Sequence, residues 1–152
     1  MILETIVSFI ATFGFGIIFN IKGKKLFFAS LGGGLSWFIY SLCLKFNLTE
    51  ISSLFISSVI FSIYSEIFAR ILKTPVTTLV VCALIPLVPG GGMYYTMSEA
   101  VTGNINKALE LGLNTISSAG ILALGVIFVS TLTRLIMSRK RKIEIKNLYQ
   151  NK

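Results

Sequence analysis

The sequence predicts an all-α fold, a polytopic bundle of membrane helices. Three observations carry that prediction. Hydrophobic residues make up 54% of the 152 residues and charged ones only 13%, too apolar a balance for an ordinary soluble domain. Near-continuous apolar runs of about 20 residues, the length a helix needs to cross a bilayer, recur along the whole chain. The connections between those runs alternate between basic-rich and basic-poor, as loops on opposite sides of a membrane do. Five spans are expected, at 2–21, 26–45, 51–71, 76–98 and 112–137.

The first run, "ILETIVSFIATFGFGIIFNI", reads as a span and not as a cleaved leader. It has no basic start, carries Glu4 where Lys or Arg would stand, and is as long as a full crossing. Gly14 and Gly16 in it, and Gly32-Gly33-Gly34 in the second run, suit close helix packing. Neither set is a phosphate-binding loop, since no G-x-x-x-x-G-K-[ST] is present.

The third run is "ISSLFISSVIFSIYSEIFARIL". At helical spacing Ser58, Ser62, Ser65, Glu66 and Ala69 share an arc of about 100°. Phe61, Ile67, Phe68 and Ile71 are assigned to the opposite side. The small polar face is expected to turn inward, toward other helices or a watery cavity. Glu66 is the one acidic residue well inside a span, and Arg70 follows four residues later, the favourable order for a helical ion pair. Two readings stand side by side: mutual neutralisation near the cytoplasmic end, or a carboxyl that titrates during transport.

The fourth run contains a break. Pro86 and Pro89 deprive the carbonyls of residues 82 and 85 of helical partners, and Gly90-Gly91-Gly92 follow at once. The expectation is a half-helix over 76–87, an unwound turn near 88–91 and a second half-helix from Gly92. The positive end of that second half could hold a carboxylate, an arrangement that recurs where transporters bind substrate. Pro89, Gly90, Gly91, Gly92, Met93, Tyr94 and Tyr95 are therefore the candidate substrate-binding residues. Thr96 adds a further hydroxyl beside the turn. A structural kink repaired by neighbouring helices is the plainer alternative. In the fifth run Asn114, Ser117, Ser118, Ile121 and Gly125 share one face, suited to close packing.

Lys22, Lys24 and Lys25 occupy the first connection, and Arg70 and Lys73 the third. The second sets Lys45 against Glu50, and the fourth holds Glu99, Lys107 and Glu110. The tail carries Arg139, Lys140, Arg141, Lys142, Lys146 and Lys152 with Glu144. This pattern predicts the N-terminus outside and the C-terminus inside. It divides the chain into a transmembrane domain, 1–138, and a basic cytoplasmic tail, 139–152. It also requires the broken fourth run to cross, because a re-entrant loop would leave the tail on the wrong side. An odd number of spans is what one half of an inverted-topology pair requires.

The net charge of +8 arises largely at Arg134 and beyond. It fits contact with anionic lipid better than nucleic acid, and no nucleic-acid partner is expected. The chain has no histidine and no aspartate, which removes the usual triads, aspartyl dyads and histidine metal sites. Cys43 and Cys82 lie in apolar runs and read as packing residues. No enzyme activity, cofactor or metal is expected.

The stretch "YSEIFARILKTPVTTLVVCALIPLVPGGGMYYTM", 64–97, resembles the threonine/serine exporter family. The likeness is to the small split form that corresponds to the C-terminal half of full-length exporters, and it extends to about residue 137. It implies a subunit of a secondary transporter that exports small amino acids at the expense of the proton gradient, in the bacterial cytoplasmic (inner) membrane. It also implies a larger membrane partner of the same family that supplies the other five spans. Glu66, Arg70, Pro86, Pro89 and Gly90–Gly92 fall on the family's motif positions. The proton role is assigned to Glu66 with Arg70, and the substrate is a small carboxylate-bearing molecule. Export of dicarboxylates such as succinate is the alternative within the family. A non-transporting scaffold subunit or a homo-oligomeric channel are the alternatives outside it.

Overall fold

A computed structural model describes the backbone of residues 1–150 and the side chains of residues 1–139. Apart from Arg139, the expected basic tail lies outside the described side chains. The elements are α1 (Ile2–Ile18), α2 (Lys24–Lys45), α3 (Glu50–Ile71), α4 (Val76–Leu84) continued by a 3-10 turn (Ile85–Leu87), α5 (Gly90–Val101) and α6 (Ile105–Gln150). No strand occurs among the described residues.

Four of these helices stop in the same way. Asn20, Asn47, Lys73 and Gly103 adopt positive φ. The next residue's N–H then reaches back five positions: Ile21 to Gly16, Leu48 to Cys43, Thr74 to Ala69 and Asn104 to Glu99. This closure satisfies carbonyls that a helix end leaves bare. Asn and Gly are the residues that take such a conformation at least cost, so three of the four stops are written in the sequence. Lys73 carries no such signal. At its start α3 is capped by Thr49, whose hydroxyl accepts from the Ser52 N–H at 3.3 Å, with Glu50 in the first turn and Arg70 in the last, as the helix dipole favours.

Three helices, α2, α3 and α6, are long and apolar enough to cross a membrane. α4 and its 3-10 turn form with α5 a pair bent by 54°, which makes a fourth if it crosses as one. The helical membrane bundle stands. The count of five does not follow from length, because α1 closes at Ile18 after 17 residues. At 1.5 Å per residue it is roughly 25 Å long, short of a hydrocarbon core of about 30 Å.

Small residues let the helices approach closely. A Cβ on Gly33 would collide with Thr12 of α1, one on Gly125 with Ser58 of α3, and one on Gly16 with Leu26. Gly14, expected to pack, faces open space. The core is correspondingly modest: Leu54, Phe61, Ala83, Leu87 and Leu122 in one cluster, Ala29, Ala69, Leu79 and Cys82 in another. Phe61, assigned to the outer face, is fully buried. It precedes Ser65 by four residues and so lies one turn away on the same stripe.

Serines fill much of the remaining interior. Ser57 donates to the Ser36 carbonyl at 2.6 Å. Ser36 in turn donates to the Ala83 carbonyl at 2.8 Å, tying α3, α2 and α4 together.

Candidate functional site

Two places in this bundle depart from simple packing, and the sequence had singled out both. The first is the inner face of α3. Ser58, Ser62, Ser65 and Ala69 are buried as expected, while Ile67 and Ile71 face outward. The Glu66 carboxylate is 13% exposed and accepts from Arg70 Nη2 at 2.8 Å. The ion pair therefore exists, with the guanidinium as its wetter partner, 46% exposed.

This pair lines a cavity of about 700 Å³. Its walls are Ser62, Glu66 and Arg70 of α3, Val80 of α4, and Ser130 and Arg134 of α6. Residues 62, 66 and 70 recur every four positions, as do Val126, Ser130 and Arg134 on α6, so each helix presents one continuous stripe to the space. The titratable lining is one carboxylate against two guanidiniums. The Ser62 hydroxyl, in a residue only 2% exposed, has no hydrogen-bond partner, and neither has that of Ser65. Buried hydroxyls are seldom left so.

The cavity lies beside the basic α3–α4 connection, since Arg70, Pro75 and Val76 are in its wall. A second hollow beside the same connection joins Lys22 and Lys25 to Thr74 and Thr78. The α1–α2 turn, the α3–α4 turn and the Arg134 stretch of α6 thus share one side, as the alternation of charge predicted.

The second place is the break. The structure shortens it. α5 begins at Gly90, two residues earlier than expected, and all three glycines are helical, none with positive φ. Only Val88 and Pro89 lie outside helical structure. Several groups around the break find local partners, the Cys82 carbonyl among them through the Ile85 N–H. Ser36 reaches the Ala83 carbonyl. Val88 N–H bonds to the Leu84 carbonyl at 3.1 Å and Gly90 N–H to the Val88 carbonyl at 2.7 Å. The kink is therefore repaired by a neighbouring helix and by its own turn.

What the bend leaves is an open surface. No side chain caps α5 at Pro89. Nothing stands within 4 Å of a Cβ built on Gly90 or Gly91, whereas one on Gly92 meets Thr115 Oγ1 at 2.5 Å. α5 buries none of its residues fully and packs chiefly on α6. Met93, Tyr94 and Tyr95 are 57%, 69% and 60% exposed, and Thr96 donates to the Gly92 carbonyl at 2.7 Å. None of Pro86, Pro89, Gly90–Gly92, Met93, Tyr94 and Tyr95 lines the large cavity, so the two groups of predicted site residues are not brought together. On α6, Gly125 and Ser118 turn inward as expected, while Asn114 and Ser117 are exposed.

Arg134 is the residue sequence reasoning missed, being counted with the tail. A signal was available: it is the only charged residue in the expected span 112–137. At the α5–α6 connection, outside the expected spans, Lys107 and Asn104 bond Glu99 at 2.6 and 2.8 Å. Those two hydrogen bonds hold its carboxyl below the ordinary range.

A family model described as Threonine/Serine exporter, ThrE, matches residues 4–132. The chain belongs to the threonine/serine exporter family. No curated protein and no solved structure matches it. The matched region takes in α1 to α5 and most of the apolar part of α6, and with them Glu66, Arg70 and the whole break. Arg134 falls two residues beyond it. This member of the exporter family is thus a multi-pass membrane protein of transporter type.

Proposed function

We propose that the chain is one subunit of a two-component, proton-coupled secondary transporter that exports small amino acids of the threonine/serine type. It works in the bacterial cytoplasmic membrane with five crossings, N-terminus out and C-terminus in. The family match over 4–132 carries this reading. Its companion is a larger membrane subunit of the same family. The open face at Gly90 and Gly91 and the half-covered α5 support such a companion, since a polar break left bare in lipid needs cover.

Transport proceeds by alternating access about the α4–α5 bend. The substrate carboxylate meets the start of α5 within Gly90–Met93, at the N–H groups of Gly91 and Gly92, since those of Gly90 and Met93 are already bonded within the turn; there the helix dipole favours negative charge. Glu66 carries the counter-moving proton. Ionised, it holds Arg70; protonated, it releases that guanidinium, so protonation and the charge of the cavity change together. Dicarboxylate export is the second reading, supported by the excess of two guanidiniums over one carboxylate in the cavity lining.

The test is flux of radiolabelled serine, threonine or succinate in vesicles holding this chain with and without its companion, under an imposed pH gradient. Gradient-driven serine or threonine flux that requires both subunits is expected. Flux that ignores the gradient would favour a channel, and full activity of the companion alone would reduce this chain to a scaffold.

A further inference from the structure

We infer that the cavity between α3, α4 and α6 is a carboxylate-binding vestibule on the basic side of the bundle, with Arg134 as its anion-holding residue. The inference rests on the exporter reading and adds a site to it, one separate from the break.

Four features converge there. The space, about 700 Å³, admits a small solute with several waters. Its charge is unbalanced: Glu66 is already engaged by Arg70 at 2.8 Å, while Arg134 has no ion-pair partner among the described residues. The Arg134 guanidinium stands at the rim of a space also lined by Val80, Val126 and Val129, and its planar fork suits two-point contact with a carboxylate. The third feature is Ser62. It belongs to the cavity wall, and its hydroxyl is buried with no protein partner, the condition in which a bound molecule can supply the missing bond. The fourth is position. Val80, the last α4 residue in the wall, precedes Pro86 by six residues, about 9 Å along a helix axis. A solute arriving from the basic side reaches this space before it reaches the break.

The shared chemistry is a small carboxylate. One carboxylate seats on Arg134 and the polar remainder is taken by the hydroxyls of Ser62, Ser130 and Thr133. An α-ammonium group on the solute would lie toward Glu66. A second carboxylate would instead require Arg70 to leave it.

The experiment is saturable binding of radiolabelled L-serine, L-threonine and succinate to the full chain, with its companion, in phosphatidylcholine nanodiscs. Arg134 is exposed at the rim, so Arg134→Gln leaves the fold intact. It is expected to weaken binding at least tenfold, and Ser62→Ala several-fold. Native affinity in Arg134→Gln, or no saturable binding to the native protein, overturns the site. Displacement of all three solutes by phosphatidylglycerol at membrane proportions also overturns it, assigning Arg134 to a lipid headgroup. Vesicle flux separates the two ideas. Flux retained without vestibule binding removes the site and leaves the exporter; binding retained without flux does the reverse.

Discussion

At the scale of single residues, the interior is governed by hydroxyls more than by large side chains. Ser57, Ser36 and the Ala83 carbonyl form a relay through three helices. Its last link meets a carbonyl just ahead of the 3-10 turn, where the helix tightens and its own bonding is disturbed. Ser36→Ala should therefore lower stability by roughly 0.5–2 kcal/mol, the range for an interhelical bond whose buried acceptor is left unpaired. Reversible unfolding in mixed micelles would measure it, and an unchanged midpoint would mean the carbonyl had found another donor. Glu66 is the residue on which coupling depends. Glu66→Gln keeps the shape and a weaker contact to Arg70 but cannot exchange a proton at working pH. It should insert normally and lose gradient-driven export; full export would remove the proton from Glu66. Glu66 was legible in the sequence; Ser36 was not singled out by it. Which serines would be bonded, and that Ser62 and Ser65 would not, was not, because it depends on where neighbouring carbonyls fall.

At the scale of elements, the three glycines after the break do different jobs although the sequence presents them as a unit. Gly92 is a contact point, pressed against Thr115 on α6. Gly90 and Gly91 face empty space within the chain. Gly92→Val should push α5 from α6 and cost about 1–3 kcal/mol, as overpacking does. Gly91→Ala should be neutral or stabilise α5 by up to about 1 kcal/mol, through helix propensity alone. Thermal unfolding in detergent compares them, and equal losses in both would refute this division. Gly91→Leu sharpens the question, since it meets nothing in this chain yet would obstruct a companion or solute seated on the open face. Unimpaired flux in that variant would leave the bend a simple kink. Pro86 and Pro89 announced the interruption. Its small extent, two residues, was hidden, because 3-10 bonding and Ser36 repair more of it than proline arithmetic allows for.

At the scale of the whole molecule, the basic connections group spatially. The connections rich in lysine and arginine gather at one end, beside Arg134 and the cavity. Single cysteines at Lys22 and Lys73 should react with a membrane-impermeant thiol reagent only from the cytoplasmic side. Cysteines at Asn47 and Thr102 should react only from outside. The native Cys43 and Cys82 are buried and should give a low background. Labelling of Lys73→Cys and Thr102→Cys from the same side would show that the bent pair does not cross. α1 itself is the weak point of the five-span count, ended by Asn20 about a turn short of the expected length.

By itself the sequence determined the class of protein, the approximate helices and three of their stops, the small polar stripe of α3, the Glu66–Arg70 pair and the site of the interruption. These are local matters: hydropathy, periodicity, proline, and asparagine or glycine at helix ends. Only the tertiary structure decided that the interruption and the ion pair belong to separate places. It alone brought Arg134 across from α6 to share a cavity with Ser62 and Glu66. Helices pack where small residues permit, and no reading along the chain says which stripe of one will face which stripe of another.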